Sequence, residues 1–127
     1  MLNLQPQKFE HLIKRVLEST GLEKVSVTRY SQDVGIDVNT FAGPIFWPVR
    51  SLLVQVQAKR WLHTVGRREV AELRGSLQPF ARGAIVTTSH YSKSAVIEAA
   101  EAGKNPIVLL NGHEFASIVG SLKIAIE

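Results

Sequence analysis

The chain of 127 residues contains no cysteine, a single methionine and only 7% aromatic residues. Without thiols, neither a disulfide framework nor a thiolate-held metal site can be built. Long hydrophobic runs are missing as well. None approaches the roughly 18 residues that cross a membrane, so no membrane partner is expected. The opening Met1-Leu2-Asn3-Leu4-Gln5-Pro6 lacks the charged-then-apolar order of a secretory signal, and a cytoplasmic protein is expected. His11, His63, His90 and His113 are scattered without the His-x-x-x-His spacing of a metal site, which leaves them surface or capping roles. Acidic residues are outnumbered, 11 against 15 basic ones, for a formal charge of +4 and a pI near 9.7. Such an excess fits a polyanion without demanding one.

What is present is ordinary globular composition, 45% hydrophobic and 20% charged, at the length of one domain over residues 1–127. Phe9, Leu12, Ile13, Val16 and Leu17 follow a helical stripe that predicts a first helix from Gln5 to Thr20, with Pro6 in its first turn and Gly21 past its end. Val25 to Tyr30 reads as a β-branched strand, and Ile36 to Thr40 as an alternating one. Leu52 to Lys59 alternates again, so these three short strands predict an antiparallel meander. Val70, Leu73, Leu77 and Phe80 predict a second helix over Gly66 to Phe80, stopped at Arg82-Gly83. A buried strand at Ala84–Thr88, a helix capped by Ser92 and running to about Ala102, and a strand at Pro106–Leu110 follow. Asn111 and Glu114 form a capping box for a last helix that buries Phe115, Ile118, Val119, Leu122 and Ile126. The order αβββαβαβα implies an α/β fold, a mixed central sheet flanked by helices, with parallel pairing in its second half.

Alternation places Leu53, Gln55, Gln57 and Lys59 on one strand face. Asp37 has the opposite parity to Ile36 and Val38, so pairing of the second and third strands would set it beside Gln57 and Lys59. A carboxylate and an amide oxygen are hard ligands suited to Mg²⁺. A lysine beside them can orient a water or hold charge on a phosphate. The same bare pattern also describes a solvated strand face beside a turn.

The wider sequence resembles the catalytic domain of Mrr-type restriction endonucleases, within the PD-(D/E)xK nuclease superfamily. Phe9-Glu10 stands in the first helix. Asp33-Val34-Gly35-Ile36-Asp37 is similar to the family's Asp-Gly-Gly-Ile-Asp, and Val54 to Arg60 to its Val-Gln-x-Lys strand. Glu69-Val70 and Leu73 to Gly75 match the next helix, Thr87-Thr88-Ser89 with Tyr91 to Ala95 match the Thr-Thr-Ser turn, and Ile107 to Gly112 the last strand. The resemblance implies the restriction-endonuclease-like fold and Mg²⁺-dependent hydrolysis of DNA, with Mn²⁺ as a substitute. Asp37, Gln57 and Glu10 would be the metal ligands and Lys59 the catalytic lysine. Glutamine is the usual residue of this subfamily at the Gln57 position, at the cost of one negative charge. Val34 departs from the usual glycine. The longer spacing from Asp37 to Gln57 holds an insertion over residues 41–50, read as an extended edge hairpin reaching DNA or a partner subunit, or as an apolar patch closing over the core.

DNA-backbone contacts are expected from Arg60, Arg67 and Arg68, and from Ser89, His90, Ser92 and Lys93 around a helix N-terminus. For Arg67 and Arg68 a solvated first helical turn is the favoured reading. The leading reading is a restriction-like DNA endonuclease acting as a homodimer. A separate recognition subunit, or DNA shape, would supply specificity. A Holliday-junction resolvase-like nuclease and a catalytically inactive DNA-binding or assembly module are the alternatives.

Overall fold

The computed structural model describes residues 5–31 and 34–122. Asp33 of the motif and Ile126 of the expected last helix lie outside them. Helix α1 (Pro6–Ser19) forms on the predicted stripe, and Phe9, Leu12, Ile13, Val16 and Leu17 are all buried. Gly21, at φ 102°, turns the chain in a region only glycine enters freely. Strands β1 (Leu22–Ser31), β2 (Gly35–Ala42) and β3 (Leu53–Lys59) then form the antiparallel meander. Helix α2 (Arg67–Ser76) leads to β4 (Arg82–Thr87), helix α3 (Lys93–Ala99) to β5 (Ile107–Leu110), and helix α4 (Gly112–Ser121) follows. Strands β3, β4 and β5 are mutually parallel, and the sheet order is β1-β2-β3-β4-β5. This is the expected αβββαβαβα order in a mixed sheet.

The two faces of the sheet are unequally covered. On one, α1 and α4 close over Ile36, Val38, Val56, Ala58 and Val86. Phe9 meets Phe115 edge-on at 6.3 Å across the two helices. Full burial of a side chain such as Phe115 contributes on the order of 2–3 kcal/mol. On the other face, Val70 and Leu73 of α2 and Ala95 and Ala99 of α3 pack on Ile85 and Ile107, which belong to β4 and β5. On the second face of β2 and β3, Phe41 and Leu53 stand at one end, and Asn39, Gln55, Asp37, Gln57 and Lys59 make the rest polar.

Several boundaries differ from the expectation, each for a local reason. Helix α2 ends at Ser76, because Gln78 precedes Pro79 and that linkage disfavours helical backbone. Leu77 is already extended, at ψ 139°. Phe80, expected on the buried stripe, is 93% exposed at φ 65°. Arg82 and Gly83 open β4 and do not stop a helix. Helix α3 ends at Ala99, before Ala102, as Glu101 and Lys104 close tight turns and Gly103 reverses the chain at φ 81°. The stretch over residues 41–50 is no extended edge hairpin. It turns once through Pro44–Phe46 and folds back on the α1–β1 junction, where Gly43 N–H donates to the Gly21 carbonyl at 3.1 Å. A Cβ at Gly21 would collide with Ile45 and Phe46. This loop leaves Ile45, Trp47 and Val49 exposed, at the end of β2 and β3 away from Gly35 and Lys59.

Candidate active site

Register does what periodicity anticipated. Asp37 stands directly opposite Gln57, Asn39 opposite Gln55 and Gly35 opposite Lys59. Residues paired across a sheet share a face, so these polar side chains rise together from the open side. They floor a hollow of about 500 Å³. Its walls come from Thr28 and Arg29 of β1 and from Glu69, Glu72 and Ser76 of α2. The site therefore lies where α2 stops covering the sheet.

Lys59 is held from two sides. Its Nζ sits 4.5 Å from the centre of the Trp61 ring, which itself stacks on His63 at 4.2 Å. A cation over an indole is stabilised by roughly 0.5–2 kcal/mol. The backbone of Lys59 is fixed by the Thr-Thr-Ser turn. Thr87 Oγ1 donates to the Lys59 carbonyl at 3.0 Å, and Thr88 N–H donates to the same oxygen at 3.2 Å. Thr88 Oγ1 then donates to the Trp61 carbonyl at 2.9 Å and Ser89 Oγ to that of Leu62 at 3.3 Å. The Tyr91 hydroxyl spans the carbonyls of Ile85 and Leu110, at 2.8 and 2.9 Å. Burial pushes that hydroxyl well above its usual range, more than the Leu110 hydrogen bond lowers it, with the charge of Glu114 adding to the rise. The motif is thus a strap over the exit of the lysine strand.

Several residues expected to touch DNA also make contacts within the protein. His90 Nε2 lies 2.7 Å from Thr64 Oγ1, and Ser89 bonds to Leu62. Ser92 accepts the Ala95 N–H at 3.1 Å as the cap of α3, a helix of seven residues. Lys93 is exposed beside it. Arg67 pairs with Glu98 at 3.0 Å, and Arg68 with Glu69 and Glu72 at 3.6 and 3.7 Å. Glu98 is buried and also takes Arg74 and Lys104. Burial pushes its carboxyl up, but hydrogen bonds from Lys104 and Arg74 and the charge of Arg67 outweigh that and hold it below the usual range.

Glu10 is not brought into the hollow with Asp37. Helix α1 packs on the Ile36 face, so Glu10 rises on the side from which Asp37 points away. Its carboxylate accepts the Tyr30 hydroxyl at 2.8 Å and pairs with Lys14 at 3.4 Å. That hydrogen bond, with some burial and the carboxylate's charge, raises the Tyr30 hydroxyl above its usual value. Glu10, Tyr30 and Arg60 line an adjoining hollow of about 450 Å³, which shares Ser31, Gly35 and Ile36 with the first. The structure also brings forward residues that the sequence reading left out of the site: Glu69, Glu72 and Arg29. The signal for the glutamates was their three-residue spacing on one face of α2.

Comparison with known proteins bears on this arrangement. Residues 1–119 match the model of the Mrr catalytic family, described as restriction endonuclease. The type IV methyl-directed restriction enzyme EcoKMrr of Escherichia coli (strain K12) is 36% identical over 105 residues, 75% of this chain and 32% of that enzyme. The chain therefore spans about a third of the length of this curated relative. Two solved structures share the fold. One is the MspJI restriction endonuclease in complex with a 27-mer oligonucleotide, at TM-score 0.61 and 22% identity over 90% of this chain and 26% of that one. The other is the DNA modification-dependent restriction endonuclease AspBHI, at TM-score 0.61 and 18% identity over 93% and 36%. With sheet order, strand motif and a match over nearly the whole length in agreement, the chain belongs to the Mrr catalytic family of restriction endonucleases.

Proposed function

We propose that this chain is the catalytic domain of a DNA endonuclease that hydrolyses phosphodiester bonds with Mg²⁺, for which Mn²⁺ substitutes. The observation that carries the reading is the register, which sets Asp37 against Gln57 two positions from Lys59 in an open polar hollow. Their carboxylate and amide oxygens are a hard donor set. Among the described residues no group of three or more His, Cys, Asp or Glu could hold a metal. Such a sparse set fits an ion that keeps waters and borrows phosphate oxygens. Asp37 and Gln57 would hold it. Bound there, it supplies charge for the phosphoryl oxygens and an acidified water. Lys59, steadied over Trp61, holds charge on the phosphate or orients the attacking water. Glu10, engaged by Tyr30 and Lys14, is left out of this donor set.

Duplex cleavage takes two sites, which suits a C2 homodimer. Methylated duplex is the first substrate to test, given the methyl-directed Escherichia coli relative. Specificity would come from a separate recognition domain or subunit. The test is cleavage by wild type, Asp37→Ala and Lys59→Ala on methylated duplex, plain duplex and four-way junction with Mg²⁺. Wild type should cut, and each variant should lose at least about a hundredfold. The reading fails if wild type cuts nothing, or if both variants keep full activity. Junction-only cutting would favour a resolvase, and salt-sensitive binding without cleavage a binding module.

A further inference from the structure

Directly across β1 from Asp37 stands Arg29, so Arg29, Asp37, Gln57 and Ile85 form one row over four strands. Partners in such a row have Cβ atoms roughly 4.5–5.5 Å apart on a common face. The guanidinium stem thus rises beside the carboxylate and lines the same hollow. Arg29 is exposed and has no ion pair among the described residues. The arginines of α2 contrast with it. Arg67 and Arg74 are bound to Glu98, and Arg68 to Glu69 and Glu72.

The two walls of the hollow therefore differ in sign. Helix α2 presents Glu69 and Glu72 against the single Arg68 paired with them, one net negative charge, whereas β1 presents Thr28, Arg29 and Ser31 and no carboxylate. A phosphodiester is repelled by the first wall and attracted by the second. A guanidinium also offers two parallel donors that match two phosphate oxygens, which an ammonium does not. We propose that Arg29 is a second phosphate-binding residue of this hollow, beside Lys59, and that the nucleic-acid strand enters it along β1. The proposal rests on the nuclease reading for its ligand class. It adds a backbone contact on the wall opposite α2 to those expected from Arg60, from Arg67 and Arg68, and from Ser89 to Lys93.

The test separates binding from cleavage. The full chain and its Arg29→Gln, Arg29→Lys and Arg50→Gln variants are titrated onto a fluorescent plain duplex in metal-free buffer between 50 and 200 mM salt. Arg50 is exposed on the loop at the far end of β2 and β3, and serves as the charge-loss control. Removing one phosphate contact should flatten the log–log salt dependence by about one unit. Arg29→Gln is expected to do so and to weaken binding roughly tenfold, with an unchanged melting temperature. Arg29→Lys should restore the slope but only part of the affinity, and Arg50→Gln should leave both near wild type. An unchanged slope in Arg29→Gln, an equal change in Arg50→Gln, or no wild-type binding at 50 mM salt overturns the proposal. Wild type that binds with this pattern yet never cuts overturns the nuclease reading and leaves the Arg29 assignment standing.

Discussion

Replacing Gln57 with glutamate sets a second carboxylate directly opposite Asp37. The Cβ atoms of paired positions lie about 5 Å apart, which sets the scale for the two charges. At that distance their repulsion is roughly 1 kcal/mol at the dielectric of water and roughly 3 kcal/mol at an effective value of 20. The hollow is open to solvent, so the lower figure applies, and a domain of this size should melt roughly 3–6 °C lower. A divalent ion reverses the sign. At ten times its dissociation constant it returns about 1.4 kcal/mol; wild type gains by the same linkage, so the gap of about 1 kcal/mol closes once the added charge tightens that constant roughly fivefold. Melting of Gln57→Glu is therefore expected below wild type in chelator and level with it or above it in Mg²⁺. Gln55→Glu is the control: it shares the face but stands opposite Asn39, and its oxygen can still accept the Gln78 N–H. Equal melting of both variants in chelator, with no greater response to Mg²⁺ at position 57, would refute the paired-ligand geometry.

Three further outcomes can be checked by thermal or denaturant melting. Glu98 is held below the usual carboxylate value of 4.5, so it stabilises the fold above about pH 5 and loses that contribution as pH falls through its depressed folded value. The gap between wild type and Glu98→Gln should shrink across that acid window, and a pH-independent gap would count against the cation cluster. Tyr91→Phe removes the donor shared by the Ile85 and Leu110 carbonyls and should cost about 1–2 kcal/mol, which a loss under 0.3 kcal/mol would contradict. Phe80→Asn keeps a left-handed position that suits asparagine while surrendering almost no burial, so it should stabilise by up to about 1 kcal/mol; destabilisation would return Phe80 to the core.

Much of this was legible from alternation. Ile36, Val38, Val56 and Ala58 had to share the helix-covered face, so Asp37, Gln57 and Lys59 had to share the other. Helix α1 followed from its stripe, and α4 opened on its capping box, where Asn111 accepts the Glu114 N–H at 2.8 Å. The errors came from stripes that outran the backbone. Leu77 keeps apolar spacing and still packs toward Gly83, yet Pro79 forbids the helix that would carry Phe80 with it. Glu10 is set by which side α1 takes, a tertiary fact that spacing does not contain. Arg29 was hidden for another reason. Register shifts between Glu23 and Ser26 and between Val27 and Arg29 break the parity of β1, so its inward residues cannot be counted from sequence.

Strand β3 is the hinge of two different ladders, antiparallel to β2 and parallel to β4. Local opening along the parallel seam would free the Lys59 carbonyl from Thr87 and Thr88 while leaving Asp37 against Gln57 within the meander. The site would then come apart in two steps, the lysine loosening while the ligand pair stays assembled. Hydrogen exchange would register it as one unit from β1 to β3 and another from β4 onward.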